Sequence, residues 1–429
     1  MKSKRNRIHI IAILGFSPKY EYEEDENKII ATSIHYWRNK KGELIGVWKE
    51  DSMHHRGFFF LECYPDIIWE AWRPDIRADK VYEHTFENGF IHKSFPVSYI
   101  KTWNGIRRKK EIYSPLMEDC LNNYIKKKTN EQLLLVLPTS HKSITYLIQK
   151  NFSKIIPILN VRFINNEPLL GKYAFKINPV RFLHDYLKAV QIKRYMNQID
   201  NLLLTHSKYS NEIENKYDCR VFINPHFEDV GFWCRDISKE EARMKLAIPY
   251  DKKVIFSSSR LVPEYQIDKI IDVLGRLGYK DFLFYISGNG DKEYIRMINK
   301  KIDKYRLNNN VVFTGYIMGD ELKAYYIASD VYVSTCIRQA CPKSTNKAIL
   351  LEVPVIATDT GFGVELLKEY NGGLIIPQKY SFNKWKKAFQ SVFAGDEINT
   401  PQRDEIVSIF EKENIGKKWM EIFREIVEN

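Results

Sequence analysis

Most side chains that could do chemistry in this sequence sit just after short apolar runs in its second half. Ser259-Arg260-Leu261-Val262-Pro263-Glu264 follows the run 254–258, and a guanidinium at such a turn can fork two charge-assisted hydrogen bonds onto a phosphate. Ser287-Gly288-Asn289-Gly290 ends the next run with residues that tolerate positive φ, as tight turns require. Farther on, Arg338, Gln339, Lys343 and Lys347 bring positive charge and one amide ahead of Val353-Pro354-Val355-Ile356-Ala357-Thr358-Asp359-Thr360-Gly361. Gly361-Phe362-Gly363-Val364-Glu365-Leu366 then reads as a loop opening a helix, whose first amides suit an anion without any side chain. In the first half, Pro138-Thr139-Ser140-His141 closes a strand and precedes a helical run. A histidine there can hydrogen-bond a hydroxyl or take up its proton, although a structural histidine is the commoner case.

These turns need a scaffold, and the second half supplies a regular one. Runs 254–258, 282–287, 311–314, 331–334, 355–358 and 374–376 are β-branched or aromatic, are bounded by Gly, Pro, Asp or Ser, and alternate with helical patterns. That alternation predicts a parallel doubly wound sheet. After Pro263 the helical period is plain, with Ile267, Ile270, Ile271 and Leu274 on one face. The first half offers candidate strands at 8–14, 67–70, 133–137, 155–161 and 202–205, so a second α/β domain is the economical reading. Residues 20–110 are rich in Trp, Tyr, Phe and His and read as the core packing of an irregular insertion, with an acceptor platform as the rarer case. The junction falls at 224–240, ahead of a helix starting near Ser238 with Glu240 and Glu241 in its first turn.

A chain of 429 residues exceeds one hydrophobic core, so two domains and a cleft between them are expected. The net charge of +12 favours anionic partners without choosing among them. The basic runs 2–7, 107–110 and 126–128 read as solvated faces, and no zinc-knuckle, RRM or helix-turn-helix pattern accompanies them, so no nucleic-acid partner is expected. The six cysteines are sparse. Cys336 and Cys341, the closest pair, lack a second pair or nearby His, which argues against a metal site and for reduced thiols in a cytoplasmic protein. The apolar run 8–14 is too short to span a bilayer and no small-residue cleavage site follows it. Basic charge leaves peripheral contact with the inner membrane face open.

Taken in order, the landmarks resemble the glycosyltransferases of GT-B fold, family-4 (group 1) type, over about residues 251–377, and by topology alone before Ile199. The resemblance implies an α/β protein with two Rossmann-like, doubly wound parallel-sheet domains facing a cleft. The expected division is an acceptor-side domain at 1–228, a donor domain at 229–405, and C-terminal helices at 406–429 packing back toward the first domain. In the family the first turn reads Gly/Ser-Arg-Leu-x-x-x-Lys-Gly and clamps the donor diphosphate; Arg260 matches, while the Lys falls on Tyr265 and the Gly on Gln266. Gly288 and Asn289 resemble the Gly-x-Gly turn that faces the nucleotide. The run from Val353 resembles the family tail G-x-P-V-I-A-t-d-x-G-G, which a Glu-x7-Glu motif precedes. Counting back from Pro354 puts Gln339 at the sugar-binding Glu and Lys347 at the ribose-binding Glu.

An ammonium only donates, so Lys347 cannot accept from ribose hydroxyls. With Arg338 and Lys343 nearby it implies a phosphate contact instead, while Gln339 keeps hydroxyl recognition. Gly361, Phe362 and Gly363 offer backbone amides to the donor, Asn224-Pro225 resembles the start of the interdomain linker, and Gly15 stands at the family's first glycine turn. The resemblance therefore implies a nucleoside-diphosphate sugar as donor substrate and a saccharide or lipid-linked acceptor. It also implies retention of configuration, no metal, no covalent cofactor, and catalytic roles for Arg260, Gln339 and His141. The alternative is a GT-B protein degenerate at its donor motif that serves as binding or regulatory partner of an active transferase.

Overall fold

The computed structural model describes residues 7–14, 34–38, 44–49, 52–75, 78–103, 108–127, 131–139, 143–162, 179–337 and 343–429. The first domain begins with β1 (Ile8–Ile13), the hairpin β2 (Ile34–Arg38) and β3 (Leu44–Lys49), and α1 (Ser52–Cys63). It continues through β4 (Ile67–Asp75), β5 (Tyr82–Thr85), β6 (Ile91–Pro96) and the hairpin β7 (Ser98–Trp103) and β8 (Arg108–Tyr113). Then come α2 (Pro115–Lys126), β9 (Gln132–Pro138), α3 (Ser143–Phe152), β10 (Ile158–Arg162), α4 (Pro179–Met196), β11 (Asn201–Leu204), α5 (Ser210–Tyr217) and β12 (Arg220–Ile223). Eight of these strands form one sheet in the order β12-β11-β10-β9-β1-β4-β6-β5, parallel except for β5.

Residues 67–75 and 91–96 of the aromatic stretch belong to the main sheet, not to an irregular insertion. β4 and β6 extend the main sheet in register with β1, and Trp69, Trp72, Phe90 and Phe95 are fully buried on or beside them. Buried on both faces, β4 shows no alternation of apolar and polar residues, the pattern that marks a half-exposed strand. Another expectation shifts at β10, which starts at Ile158. Ile155 and Ile156 instead close the end of α3, their amides bonding to Phe152 O at 2.9 Å.

The second domain contains α6 (Lys239–Lys245), β13 (Lys253–Ser258), a 3-10 turn (Pro263–Tyr265), α7 (Ile267–Leu277), β14 (Phe282–Ser287), α8 (Lys292–Tyr305) and β15 (Val311–Gly315). It goes on through α9 (Gly319–Ala328), β16 (Val331–Ser334), α10 (Lys343–Leu350), β17 (Val355–Thr358), α11 (Phe362–Glu369), β18 (Leu374–Ile376) and α12 (Phe382–Ala394). Ser238 caps α6 in a capping box with Glu241, each satisfying a backbone amide the helix leaves open. The six strands are all parallel in the order β15-β14-β13-β16-β17-β18. Ile267, Ile270, Ile271 and Leu274 of α7 pack into one face, whereas α10, α11 and α13 (Arg403–Phe410) pack on the other. The last helix, α14 (Lys412–Glu428), leaves this domain altogether. Its Ile415, Trp419, Met420, Ile422, Phe423 and Ile426 enter the core of the first sheet beside Phe60 and Trp69.

At the amino-terminal end of the first sheet a charged cluster is buried across three strands. Glu70 on β4, 1% exposed, has a carboxylate that accepts from Trp72 Nε1 at 2.6 Å and Tyr124 OH at 2.7 Å. Lys93 Nζ on β6 lies 3.0 Å away and His9 Nε2 on β1 2.9 Å. Burial alone would raise this carboxyl, but the hydrogen bond with His9 and the charge of Lys93 outweigh it and hold it at about 2. A depressed folded-state value contributes stability that is complete above the unfolded value near 4.5 and is lost as pH falls toward 2. At about 1.4 kcal/mol per unit, about 3 kcal/mol of unfolding free energy is expected to disappear over that window. Urea unfolding at pH 6, 4 and 2.5 measures it; a Glu70→Gln chain that loses as much stability over this window as the wild type would refute the assignment.

Candidate functional site

In both sheets chain order reverses beside a central strand, between β13 and β16 in the second and between β1 and β9 in the first. Ligands of open parallel sheets bind at the carboxyl ends of strands at such switch points. In the second domain the loops leaving four neighbouring strands are stitched into one rim. Leu261 N donates to Asn289 O at 3.0 Å and Asp291 N to Leu261 O at 2.9 Å, joining the turns after β13 and β14. The Thr335 hydroxyl donates to Tyr265 O, Ile337 N to Glu264 O at 3.2 Å, and Thr358 Oγ1 to Cys336 O at 2.5 Å, so the loops after β16 and β17 join as well.

Gly288 is required in this rim: it holds φ +134°, and a Cβ there would sit 1.9 Å from Ser259 O. Arg260 is exposed on the rim, its guanidinium carbon 5.8 Å from the centre of the Tyr265 ring. Gln266, in the place of the expected glycine, nevertheless keeps a left-handed backbone at φ 48°, ψ 28°. Glu352 does the same at φ 51°, where the tail G-x-P begins with glycine. Both positions, where the resemblance calls for glycine, thus hold a left-handed backbone under a full side chain, each at a strain of about 1 kcal/mol.

α10 carries Lys343 and Lys347, two of the residues expected at the donor site. Lys343 is exposed at its first turn, with Nζ 5.7 Å from the Phe227 ring centre. Lys347 points at the linker between the domains instead, its Nζ 4.3 Å over the Trp233 ring. Burial is the main cause of a lowered Lys347 pKa, opposed by the charge of Glu228. Glu228 belongs to that linker, is 5% exposed, and accepts from Asn346 Nδ2 at 3.3 Å. Burial raises its carboxyl, while Lys343 and Lys347 draw it back. Glu228 and Lys347 thus act on one another through their charges across the linker. Nearby, Arg56 Nη2 lies 3.0 Å from Nδ1 of His226, whose pKa burial pushes well down, with Arg56 and Lys343 adding to the effect. A cavity of about 530 Å³ opens on this hinge side, lined by Phe58, Phe59, Phe227, Glu62, Asp229 and Lys412 among others, away from the rim.

α11 starts at the carboxyl end of β17 with Gly361 at φ 83° as its cap. The amides of Phe362 and Gly363 fall in the first turn, which helix geometry leaves without intrahelical acceptors. This turn also meets the other domain. The Glu365 carboxylate accepts from Ser207 N at 3.0 Å and from Ser207 Oγ at 3.0 Å, and His206 Nδ1 lies 3.6 Å away. Lys208 Nζ donates to Asp359 O at 2.7 Å. Burial would raise the Glu365 carboxyl, but hydrogen bonds with His206 and Ser207 hold it below its ordinary value. Ser207 and Lys208 follow β11, so the carboxyl edges of the two sheets face one another here.

The structure brings Arg260, Gly288, Asn289, Gly361, Phe362 and Gly363 onto adjoining loops of one sheet edge, with Lys343 and Lys347 on the next helix. Gln339, Arg338, Ser140, His141 and Gly15 lie outside the described residues. Sequence reasoning missed Ser207, Lys208, Asp359 and Glu365 as a set, and Glu228 as the carboxylate whose charge acts on Lys347. The one available signal was local: Glu365 stands four residues after Gly361. Among the described residues, no cluster of three or more His, Cys, Asp or Glu could hold a metal ion, and no helix is long and apolar enough to cross a membrane.

Residues 238–406 match the family model described as glycosyl transferases group 1. An uncharacterized glycosyltransferase of Methanocaldococcus jannaschii is 23% identical over 261 residues, 56% of this chain and 64% of that protein, so the chain matches less than two thirds of that relative's length. The fold is similar to that of sucrose-phosphate synthase from Thermosynechococcus elongatus, with a TM-score of 0.64 at 15% identity over 98% of this chain and 99% of the other. Anabaena HepE, solved in complex with UDP and glucose, superposes with a TM-score of 0.60 at 12% identity, over 98% of this chain and 100% of the other.

Proposed function

We propose that this chain, a two-domain GT-B protein whose residues 238–406 are of the glycosyl transferases group 1 type, is an enzyme that moves a sugar from a nucleoside-diphosphate donor to a hydroxyl acceptor. The observation that carries the reading is the stitched rim at the switch point of the second sheet, with Arg260, the Gly288 turn and the α11 amides on it. In this reading Arg260 and the Gly361 to Gly363 backbone offset the negative charge that develops on the departing diphosphate. Lys343 adds positive charge from α10. Gln339 recognises the donor sugar and His141 handles the acceptor proton. A saccharide or lipid-linked acceptor enters from the first domain, configuration is retained, and no metal is required. A cytoplasmic place with peripheral contact at the inner membrane face fits the basic charge of +12.

Lys347 favours a second reading. Its amine is turned to Glu228 and Trp233, and a helix that no longer offers a carboxylate for ribose suits a catalytically degenerate partner of an active transferase. A thermal-shift screen against UDP, GDP, ADP, CDP and dTDP and their common sugars separates the two, followed by hydrolysis of any donor that binds. A ligand at 100 times its Kd is expected to raise Tm by roughly 5 °C or more. Arg260→Ala is expected to weaken that ligand about 10- to 100-fold by removing hydrogen bonds to a charged group. Binding without hydrolysis or transfer selects the partner reading. Binding that Arg260→Ala leaves unchanged refutes the donor site.

A further inference from the structure

We infer that Glu365 is a positioning residue that ties closure of the two domains to the donor-binding turn, and that Ser207 is its counterpart across the cleft. The inference rests on the function proposed above only for the identity of the ligand; the latch itself stands on geometry. Glu365 lies in the first turns of α11, two residues beyond Gly363, so its carboxylate and the amides of that turn move as one rigid body. Both carboxylate oxygens accept from Ser207 N at 3.0 Å, and Oε1 also accepts from its hydroxyl at 3.0 Å. His206, 2% exposed, stands behind with Nδ1 3.6 Å from the same oxygen and its ring edge-on to Tyr209 at 6.4 Å.

A second contact fixes the same loop from its other end. Lys208 Nζ donates to the Asp359 carbonyl at 2.7 Å and lies 3.4 Å from its carboxylate, which Lys368 holds from the α11 side at 2.6 Å. The turn 359–365 is thereby clamped at both ends by residues 206–208 of the first domain. Opening the cleft strips Glu365 of all its cross-domain donors, and closing it restores them and brings the loop after β11 against the donor turn. A ligand seated on the α11 amides therefore meets the first domain only when this latch is made. The donor domain alone binds the diphosphate; the latch sets how the sugar is presented to the acceptor side. Its loss should consequently appear in turnover and shape more than in nucleotide affinity.

The test uses the full chain and Glu365→Ala, Glu365→Gln and Ser207→Ala. Small-angle scattering without ligand reads the latch by itself: the wild type is expected to scatter as the closed form, and Glu365→Ala to shift to a larger radius of gyration. Glu365→Gln keeps an acceptor oxygen and its shape, so partial recovery of the closed form distinguishes lost hydrogen bonding from lost packing. Ser207→Ala keeps the amide donor and is expected to show the mildest effect. With a nucleotide that binds the wild type, Glu365→Ala is expected to hold its Kd within about 3-fold while transfer or donor hydrolysis falls about 10- to 100-fold, the equivalent of one or two charge-assisted hydrogen bonds. Identical scattering profiles for Glu365→Ala and the wild type would overturn the latch. So would a variant that loses nucleotide affinity and turnover by equal factors. Absence of nucleotide binding in the wild type would refute the donor reading and leave the scattering result to judge the latch.

Discussion

Lys347→Glu, the substitution that writes the carboxylate of the Glu-x7-Glu pattern onto α10, is expected to destabilise the protein instead of improving it. The Lys347 amine sits over the Trp233 ring and within electrostatic reach of Glu228, a carboxylate only 5% exposed. Burial already raises the Glu228 carboxyl, and Lys343 and Lys347 are the charges that restrain it. A second carboxylate at 347 would leave two like charges in the same enclosed space with one partner removed, a defect that costs about 3–5 kcal/mol. For one domain of this chain melting by itself the expected fall in Tm is about 10 °C. Lys347→Met, which removes the partner without adding a charge, should fall by less, and Glu228→Gln combined with Lys347→Glu should recover part of the loss. Those three melting curves, with turnover measured beside them, decide the matter. A Lys347→Glu chain that melts like the wild type and works faster would mean that Glu228 and Lys347 do not depend on each other.

A chain ending at Glu411 is expected to lose the first domain while keeping the second. α14 places six large apolar side chains in the core of the first sheet. At about 1.5–3 kcal/mol for each buried side chain they contribute roughly 9–18 kcal/mol, comparable with the whole stability of a domain. No residue of α14 enters either core cluster of the second sheet. Limited proteolysis of the shortened chain should therefore leave a resistant fragment from about Asp229 to Phe410 while cutting freely among the strands of the first sheet. Two resistant fragments would show that α14 is dispensable.

The second domain was the more legible because its strands declare themselves locally. The runs 282–287, 331–334, 355–358 and 374–376 coincide with β14, β16, β17 and β18, each short, apolar and punctuated by turn residues. β4 was recognised only in part, since Trp69, Trp72 and their neighbours form a strand without alternation. At the candidate site, the parts that follow one another along the chain could be read: Arg260 after its strand, the Gly288 turn, and the glycines that open α11. The parts built by tertiary packing could not. Ser207 and Glu365 are 158 residues apart, and neither side chain announces a partner. The same is true of Glu228 and Asn346, 118 residues apart. Read along the chain, Lys347 stands where a carboxylate was expected; in space it lies over Trp233 and feels the charge of Glu228 from the linker.

The return of α14 to the first sheet also sets a timetable for synthesis. β1 through β12 are made before the second domain, yet the core they share with α14 stays incomplete until about 200 further residues have been made. At about 5–20 residues per second that interval is roughly 10–40 s. The second domain needs α13 for its own core, so it too is complete only at Phe410, just before α14 is made. Throughout that wait the surface that Trp419 and Phe423 will cover, around Phe60 and Trp69, is a natural client for a chaperone.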